Sequence, residues 1–385
     1  MSTDVRALLF APVLGGGGAE ARVVRLANEL PKQGVETLLA VARGGGAYEE
    51  RLRTGASPVT CQNLTRSSTL SLPLSFPKLV ATIDRHEPDV VAALQGHVGA
   101  VLVAAARRAR RRPRVVLGVP VNFSQRLAAT GGWLERRLVD AERWAYRAAD
   151  HVIAISKGVA EDLAQALPSV REKLSIVYNG VFDDTLTALA AQPLPLERPR
   201  ERLIVACGRL VPQKDYPTLL RALSLVKTRP SPVLWILGEG PERDAIVRLA
   251  HELRIRERVV LLGFQKNPFP FMACADVFVT SSRYEGFSNA MVEAMACGTR
   301  VVATDCPSGP AEILDWGKFG ALVPVGDAPA LARAVDDVLR SEHGDESRAR
   351  LRERAAMFSS AASARGYARI FRTVGGWQKH QSQGE

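Results

Sequence analysis

Two carboxylates, Glu285 and Glu293, stand eight positions apart in the segment EGFSNAMVEAMACG, where a predicted loop enters a predicted helix. Glu293 falls one helical turn after Asn289, so the two side chains share a helix face. Both acids can therefore approach one ligand, while the backbone N–H groups at the helix start can meet a diphosphate. This combination is typical of sugar-nucleotide chemistry.

Local signals define the helix that carries Glu293. Ser288 is a favourable N-cap residue, the residues from Asn289 to Cys297 favour a helix, and Gly298 suits the left-handed residue that ends it. A strand is predicted next, from Thr299 to Thr304. The alternative is that Glu293 only complements the helix dipole or faces solvent. That alternative is the weaker one because the helix is otherwise apolar and a buried acid needs a partner.

Two cations, Arg209 and Lys214, lie in GRLVPQKDY, just after a predicted strand. The carboxyl edge of a parallel sheet is where open α/β folds bind ligands. Arginine can hold phosphate oxygens with two donors, and lysine adds a point charge. Either residue alone could be an ordinary surface cation. The nearby turn Gly238 to Gly240 and the acid pair favour a site for a leaving nucleoside diphosphate.

Four glycines, Gly15 to Gly18, follow the first predicted strand and precede a helix. Glycine there allows a ligand to approach the backbone closely. The pattern is not G-x-G-x-x-G and lacks the acidic residue that binds a ribose, so dinucleotide binding is not expected. The alternative is a flexible turn.

Strands alternate with helices along both halves of the chain, which predicts an α/β protein with two parallel sheets. The stretch AAQPLPLERPRER separates the halves as a linker. The expected domains are residues 1–189, a linker at 190–202, and residues 203–354. A helix over 355–374 is expected to cross back to the first domain, followed by a disordered tail at 375–385.

Composition limits the classes of protein. Hydrophobic residues make up 46% of the 385 residues, which is ample for two cores. The five scattered cysteines indicate neither zinc nor a disulfide framework. No apolar run has the length of a membrane span, and no cleavable leader is apparent, so a cytoplasmic protein is expected.

An arginine run gives the chain a strongly basic segment, and the formal net charge is +11. It could contact an anionic membrane surface, or it could be a solvated helix end, where cations suit the helix dipole. Nucleic acid is not expected because aromatic residues are not interleaved and no recognised binding module surrounds the run. The run comprises Arg107, Arg108, Arg110, Arg111, Arg112 and Arg114.

These motifs resemble the retaining glycosyltransferases with the GT-B fold, of the family 4 type (glycosyl transferases group 1). The match runs in order through most of residues 200 to 340. The first half resembles the acceptor domain of the family through GGGGAEARVVRLANEL and HVIAISKGVAEDL. The matching segments of the second half are GRLVPQKD (208 to 215), LGEGPE (237 to 242), LLGF (261 to 264), ADVFVTSSRYEGFSNAMVEAMACGTRVVATD (275 to 305) and GALVPVGD (320 to 327).

The resemblance implies two Rossmann-like domains that face a central cleft, and it implies a role for each motif. Arg209 and Lys214 would bind the diphosphate, Glu293 the ribose hydroxyls and Glu285 the hydroxyls of the transferred sugar. The segment Thr304 to Leu314 is similar to relatives that use UDP-linked hexoses or N-acetylhexosamines. The other donor contacts implied are backbone N–H groups of Phe287, Ser288 and Asn289, the base-bordering Gly263 and Phe264, and Gly17 and Gly18 over the diphosphate.

One departure concerns the acceptor side. Many members carry a histidine at the end of the strand VVLGVPVNFS, where this chain has Pro120 and Val121, followed by Asn122. His97, in the loop QGHVG, is the other acceptor-side candidate. The alternative is that His97 has no chemical duty.

By resemblance, the reaction is a front-face transfer to a hydroxyl of a glycan or lipid-linked acceptor, in polysaccharide or glycolipid synthesis. No metal or cofactor is expected, since lysine and arginine supply the positive charge. Peripheral contact with the inner membrane face is a further hypothesis. The alternatives are a nucleotide-sugar binding partner without turnover and a nucleotide-sugar epimerase.

Overall fold

The computed structural model describes residues 5–15, 18–46, 48–52, 60–65, 71–128 and 131–376. The described residues up to Gly180, together with those from Ser359 onward, form a first compact unit, and Val181–Phe358 forms a second. The predicted Gly17 and most of the predicted tail at 375–385 lie outside the described residues. Among the described helices, none has both the length and the apolar character needed to span a bilayer.

The described part of the first unit contains a seven-stranded sheet in the order β3-β2-β1-β4-β5-β6-β7. All neighbouring strands in it are parallel. Its elements are β1 (Val5–Ala11), α1 (Gly18–Glu29), β2 (Val35–Arg43), β3 (Thr60–Thr65), α2 (Ser71–His86), β4 (Val90–Ala93), α3 (Gly96–Arg108), β5 (Arg114–Val119), α4 (Phe123–Ala128), α5 (Trp133–Ala148), β6 (His151–Ala154), α6 (Lys157–Ala166) and β7 (Leu174–Ile176).

The second unit contains a six-stranded parallel sheet in the order β10-β9-β8-β11-β12-β13, counted over the described residues. Its elements are α7 (Leu186–Ala190), β8 (Leu203–Cys207), α8 (Tyr216–Leu225), β9 (Val233–Leu237), α9 (Arg243–Glu252), β10 (Val259–Gly263), α10 (Phe269–Ala273), β11 (Val277–Thr280), α11 (Asn289–Ala296), β12 (Val301–Thr304), α12 (Pro310–Ile313), β13 (Ala321–Val323), α13 (Ala328–Arg340) and α14 (Asp345–Ala356).

The last helix, α15 (Ser360–Val374), belongs to the first unit, where it packs against α1. The Ser359 hydroxyl caps it by accepting a hydrogen bond from the N–H of Ala362. The predicted helix from residue 355 is thus two helices, α14 and α15, divided between the two units.

The change of unit after Gly180 differs from the predicted domain end at residue 189. The predicted linker, 190–202, belongs to the second unit. Arg198 pairs with Asp276 at 2.6 Å and also donates to the carbonyl of Cys274 at 3.0 Å. These contacts attach a segment rich in proline and charge to the second unit, which composition alone could not reveal.

Parallel strands covered by helices on both faces explain the nearly continuous apolar runs of the sequence. Each unit has its own buried core of strand and helix side chains. In the second unit the chain runs outward from β8 through β9 to β10, and then returns to continue from β11 on the other side of β8. The carboxyl ends of β8 and β11 therefore flank a topological switch point, where open α/β sheets bind ligands. The predicted fold class, α/β with two parallel sheets, is confirmed.

Candidate active site at the sheet edge of the second unit

Lys214 and Glu285 form an ion pair at this switch point. Lys214 lies in the loop after β8 and Glu285 in the loop after β11, and the lysine Nζ is 2.5 Å from the Glu285 Oε1. The Glu285 side chain is only 6% exposed, whereas that of Lys214 is 21% exposed. A buried carboxylate is stable only with such a partner. The pair brings together a predicted sugar-binding acid and a predicted phosphate-binding cation.

A hydroxyl shell holds Glu285 in place. The Ser282 hydroxyl donates to the Glu285 Oε1 at 2.7 Å. The Ser282 carbonyl in turn accepts a bond of 2.6 Å from the Thr304 hydroxyl at the end of β12. Ser282 and Thr304 are both buried. The carboxylate is thus fixed by two neighbouring strand ends as well as by Lys214.

The loop that carries Lys214 is fastened to the loop after β11. The Ser281 hydroxyl donates to the carbonyls of Lys214, at 2.8 Å, and Asp215, at 3.0 Å. The Gln213 amide donates to the Tyr284 carbonyl at 2.9 Å. Asp215 adopts the left-handed conformation, with φ of 47°, which turns the chain from this loop into α8. The backbone around Lys214 is therefore held by residues about 70 positions away.

The charges of Glu293 and Lys214 both affect the pKa of one thiol, that of Cys207. Cys207 ends β8, and burial raises its pKa to about 12; the negative charge of Glu293 adds to this rise and Lys214 opposes it. The Cys306 thiol is also raised to about 12, by burial and by Glu285, again against Lys214. Lys214, Glu285 and Glu293 therefore share one neighbourhood at the sheet edge. Glu293 is itself half-buried on α11.

Arg209 lies on the same loop as Lys214, two residues after Cys207, and its side chain is exposed. Within the described residues its guanidinium makes neither a hydrogen bond nor an ion pair. An exposed guanidinium at a strand end retains all its donors for an anion. The structure thus places Arg209 beside the cluster but does not fix its guanidinium to it.

The loop before α11 is shaped by packing. Phe287 is buried and meets Phe358 edge-on, with ring centroids 5.4 Å apart. Ser288 occupies the predicted N-cap position of α11, but its side chain accepts no capping bond from the described residues. Gly309 has φ of +92°, and a Cβ there would lie 3.1 Å from the Phe287 Cα and 3.4 Å from the Ser288 nitrogen. The neighbouring Ser308 hydroxyl is buried and has no hydrogen-bond partner among the described residues.

The glycine turn after β9 passes directly over the loop after β8. Gly238 and Gly240 have positive φ, and a Cβ on them would lie 2.0 Å from the Gly208 carbonyl oxygen and 2.3 Å from that of Leu210. Only glycine fits these two positions. Beside the turn is an open cavity of about 380 Å³. It is lined by Glu239, Gly240, Arg243, Leu261, Leu262 and Gly263.

Of the two predicted base-bordering residues, Gly263 lines this cavity and Phe264 follows it with an exposed ring. Asn289 begins α11 and is half-buried. These placements are compatible with the predicted donor contacts, which stay predictions.

In the first unit, the acceptor-side candidates lie after neighbouring strands. His97 follows β4, is in the first turn of α3 and is exposed. Desolvation and the positive charge of Arg126 lower its pKa, against the opposing effect of Glu20. Asn122 follows β5 and is buried, and its Oδ1 has no partner among the described residues. Gly18, the described member of the predicted pair with Gly17, begins α1.

A buried acid near His97 was not predicted from the sequence. The Tyr146 hydroxyl donates to the Glu142 Oε1 at 2.9 Å, and the Arg126 Nε lies 3.8 Å from the Glu142 Oε2. Burial raises the pKa of Glu142, although Tyr146 and Arg126 both act to lower it. Gly96 touches this carboxyl, since a Cβ there would lie 1.7 Å from the Glu142 Oε1. The signal in the sequence is the position of Glu142 on the same helix face as Val139 and Tyr146.

Comparison with known proteins gives this geometry a family context. Residues 193–357 match the family model for glycosyl transferases group 1, and residues 16–184 match that for glycosyltransferase family 4. The chain is 31% identical, over 344 residues, to the lipopolysaccharide core biosynthesis glycosyltransferase LpsE of Rhizobium meliloti. That alignment covers 88% of this chain and 89% of LpsE.

A second relative shares a shorter region. It is the N-acetylgalactosamine-N,N'-diacetylbacillosaminyl-diphospho-undecaprenol 4-alpha-N-acetylgalactosaminyltransferase of Campylobacter jejuni, 35% identical over 210 residues. The match covers 53% of this chain and 56% of that enzyme, so the chain spans about half the length of this relative.

Solved structures match almost the whole chain. Anabaena Alr3699/HepE, solved in complex with UDP-glucose, superposes with a TM-score of 0.76 at 22% identity, covering 96% of this chain and all of HepE. WaaG, a glycosyltransferase involved in lipopolysaccharide biosynthesis, superposes with a TM-score of 0.69 at 15% identity, covering 95% and 99% of the two chains. At these identities the structures establish the fold. From the two family models and the extended similarity to LpsE, this chain belongs to glycosyltransferase family 4, and its fold is GT-B.

Proposed function

We propose that this protein is a retaining hexosyltransferase that moves a sugar from a nucleoside diphosphate to an acceptor hydroxyl. The observation that carries the proposal is the Lys214–Glu285 pair at the switch point, with Glu293 in the same neighbourhood. One cluster thereby offers a cation for a diphosphate and two carboxylates for sugar and ribose hydroxyls.

The proposed reaction replaces one bond at the anomeric carbon with another on the same face. The bond from C1 to the β-phosphate oxygen breaks, and a bond from C1 to the acceptor oxygen forms. The departing phosphate oxygen takes the acceptor proton. Negative charge grows on the diphosphate as the bond breaks, and Lys214 and Arg209 stabilise it. Glu285 orients the sugar hydroxyls, while Glu293 accepts from the ribose hydroxyls.

The proposed donor is a UDP-hexose or UDP-N-acetylhexosamine. HepE has been solved with UDP-glucose, and the Campylobacter relative is named as an N-acetylgalactosaminyltransferase. In this chain, the unpartnered Ser308 hydroxyl and the backbone of Ser288 lie in the loops that we expect to contact the sugar. The cavity beside Gly263 would take the base.

The proposed acceptor is a glycan or a lipid-linked saccharide, used in lipopolysaccharide-type synthesis at the cytoplasmic face of a membrane. Its support is the naming of the relatives, one for lipopolysaccharide core synthesis and one for a diphospho-undecaprenol substrate. We assign acceptor binding to the first unit, with His97 and Asn122 as the polar candidates.

The proposed scheme requires no metal, because the two cations already supply the charge that the leaving group needs. Full activity in the presence of EDTA is the expected result. A loss of activity that Mg²⁺ or Mn²⁺ restores would contradict this part of the proposal.

The test begins with a thermal-shift screen of the purified protein against UDP, GDP, ADP and their sugars. A ligand present at 100 times its Kd should add about 2.7 kcal/mol of stability. The donor that binds is then supplied in radiolabelled form, with water or a glycan acceptor. Transfer or donor hydrolysis supports an enzyme, whereas binding without turnover favours the non-catalytic alternative, and a changed donor sugar favours an epimerase.

Stereochemistry is tested on the product of that reaction. Proton NMR of the new glycosidic linkage should give an α-product from an α-linked donor. A β-product would contradict retention and the front-face scheme with it.

A further inference from the structure

Helix α5 exposes an unusual amount of apolar surface. Twelve large hydrophobic side chains are exposed among the described residues, and four of them lie on this one helix. They are Trp133 (78% exposed), Leu134 (58%), Leu138 (47%) and Trp144 (41%). Single exposed apolar residues are ordinary, but four on one helix mark a contact surface.

The exposed side chains are concentrated in the first turns of the helix, where every residue from Trp133 to Leu138 is exposed. Its inner face is defined by Val139, Glu142, Ala145 and Tyr146, which are buried against the unit. At 3.6 residues per turn, the four exposed side chains span roughly 140° of the helix, an arc whose edge also contains the buried Ala145. The helix has 16 residues and is therefore about 24 Å long. These four side chains, the α5 surface, lie on a helix whose later turns, from Val139 onward, are packed against the unit.

Arginines accompany the α5 surface. Arg136 and Arg137 are exposed on the same helix, and no acid of the described residues pairs with either. Arg143 is already neutralised by Asp140 at 3.2 Å. From the neighbouring helix α3, the Arg107 guanidinium lies over the Trp144 ring at 5.3 Å. Apolar side chains are thus mixed with cations in the exposed first turns of α5, where Arg136 and Arg137 have no acid partner among the described residues.

The structure also separates the members of the arginine run. Arg111 pairs with Glu87 at 3.0 Å and Arg114 with Asp150 at 2.7 Å, so these two charges are largely satisfied. Arg107, by contrast, joins the α5 surface through Trp144. Part of the positive charge of the run is therefore located beside helix α5.

We propose that the α5 surface docks on an anionic lipid bilayer. In this position Trp133, Leu134 and Leu138 enter the boundary between headgroups and acyl chains, and Arg136 and Arg137 meet the lipid phosphates. Interfacial helices combine apolar and cationic side chains in this way. Arg136 and Arg137 beside the α5 surface favour an anionic partner. A second copy of this chain is less favoured because its matching surface would carry the same positive charge.

This inference goes beyond the proposed transfer reaction and is independent of it, since it concerns the unliganded protein and lipid alone. If both hold, α5 brings the first unit to the bilayer in which a lipid-linked acceptor resides.

The test is flotation of the full-length protein with vesicles of phosphatidylglycerol and phosphatidylcholine, compared with vesicles of phosphatidylcholine alone. The apolar variant is Leu134→Ser/Leu138→Ser, and its matched control is Leu225→Ser/Met357→Ser, which removes two equally exposed side chains from the second unit. The charge variant is Arg136→Gln/Arg137→Gln, and its control is Arg221→Gln/Arg248→Gln. Circular dichroism and Tm establish that each variant is folded.

We expect the unaltered protein to partition onto anionic vesicles at least tenfold more strongly than onto neutral ones. Each α5 variant should reduce that partition at least tenfold, while both controls stay within twofold. Trp133, which all four variants retain, should show a blue-shifted emission on anionic vesicles only when the surface is intact.

Three results would overturn the proposal: no preference of the unaltered protein for anionic vesicles, equal binding by the α5 variants, or equal losses in the controls. Light scattering measures the oligomeric state and so tests the alternative occupant, a second copy of this chain. The α5 surface would be assigned to a second copy of this chain by two results together. The unaltered protein would not bind vesicles, and Leu134→Ser/Leu138→Ser would convert a dimer to a monomer. The vesicles contain neither donor nor acceptor, so the result is separate from any failure of the transfer assay.

Discussion

The Nζ of Lys214 lies 2.5 Å from the Oε1 of Glu285, although the two residues are 71 positions apart in the chain. The contact exists because β8 and β11 are neighbours in the sheet and each ends in a loop at the same edge. The carboxylate holds the cation in this position. Under the proposed function, a bound diphosphate would compete with Glu285 for the same lysine, so the leaving group and the sugar would meet at this pair.

Replacement of Lys214 by alanine should lower kcat by about 10² to 10³-fold, as is typical when one preorganised charge at a reacting centre is removed. Lys214→Arg should retain part of the rate, because its charge is kept but its geometry differs. The measurement is initial velocity with saturating donor, together with the Kd for the nucleoside diphosphate.

A matched control separates this effect from a general loss of positive charge. Lys227→Ala removes an exposed lysine of the same unit whose backbone N–H, which binds Asp336, is unchanged. We expect normal turnover from it. Unchanged turnover in Lys214→Ala would contradict the leaving-group role of Lys214 and, with it, the main support for the proposed function.

Substitution of Glu293 should weaken binding of the nucleotide, whereas substitution of Glu285 should lower turnover. Glu293→Ala should weaken UDP and the UDP-sugar by the same factor, roughly 10-fold to 150-fold, because about 1.5–3 kcal/mol is lost with a charge-assisted hydrogen bond. Glu285→Gln should leave UDP affinity nearly unchanged and lower kcat. Isothermal titration with UDP and steady-state kinetics measure the two effects. If Glu285→Gln loses UDP binding while Glu293→Ala does not, the assigned roles are reversed.

The sequence predicted well those features that depend on neighbours along the chain. The helix that carries Glu293 begins at Asn289 as expected, and Gly298 takes the predicted left-handed conformation with φ of +81°. The next strand was predicted from Thr299 but begins at Val301. The backbone N–H of Thr299 instead donates to the Ala294 carbonyl at 2.9 Å, and its hydroxyl donates to the Met272 carbonyl at 2.6 Å.

Features set by strand order were beyond sequence reasoning. The hydroxyl shell of Ser282 and Thr304, and the bond from Ser281 to the Lys214 loop, depend on which strands are neighbours, and alternation of strands and helices does not determine that order. Ser288 illustrates the same limit, because its N-cap position was predicted while its side chain makes no capping bond to the described residues. Packing of Gly309 against the Phe287 and Ser288 backbone sets this loop in place of a local cap.

Gly309→Ala should damage catalysis more than its strained backbone alone would. A Cβ would press on the backbone of Phe287 and Ser288, which is the loop expected to present N–H groups to the donor. Gly326→Ala is the control, since Gly326 also has positive φ, +79°, but a Cβ there would meet nothing within 4 Å. Gly326→Ala should lose about 1–2 kcal/mol of stability through positive-φ strain, and Gly309→Ala, at φ of 92° and ψ of −69°, should lose at least as much; urea unfolding measures both.

The two glycine variants should then differ in kinetics. We expect kcat/KM to fall at least tenfold in Gly309→Ala and to stay near normal in Gly326→Ala, with both assayed well below their unfolding midpoints. Equal activity in the two would mean that the loop around Ser288 tolerates displacement and does not position the donor.

The buried acid Glu142 predicts a pH dependence of stability in the first unit. Burial raises its pKa above the ordinary value of 4.5, so the folded protein binds this proton more tightly than the unfolded chain does. The stability that the protonated form contributes is therefore fully present below pH 4.5 and is lost as pH rises through the raised pKa. Glu142→Gln keeps an oxygen that can accept from Tyr146 but cannot ionise, so it should escape this loss.

Thermal unfolding of both proteins between pH 4.5 and 8 measures the effect. The Tm of Glu142→Gln should exceed that of the unaltered protein at pH 8, and the gap should narrow steadily toward pH 4.5. Glu161→Gln, on the exposed face of α6, should show no such trend. A gap that widens on acidification would mean that the attraction of Arg126, 3.8 Å away, outweighs desolvation and that Glu142 is held as a carboxylate.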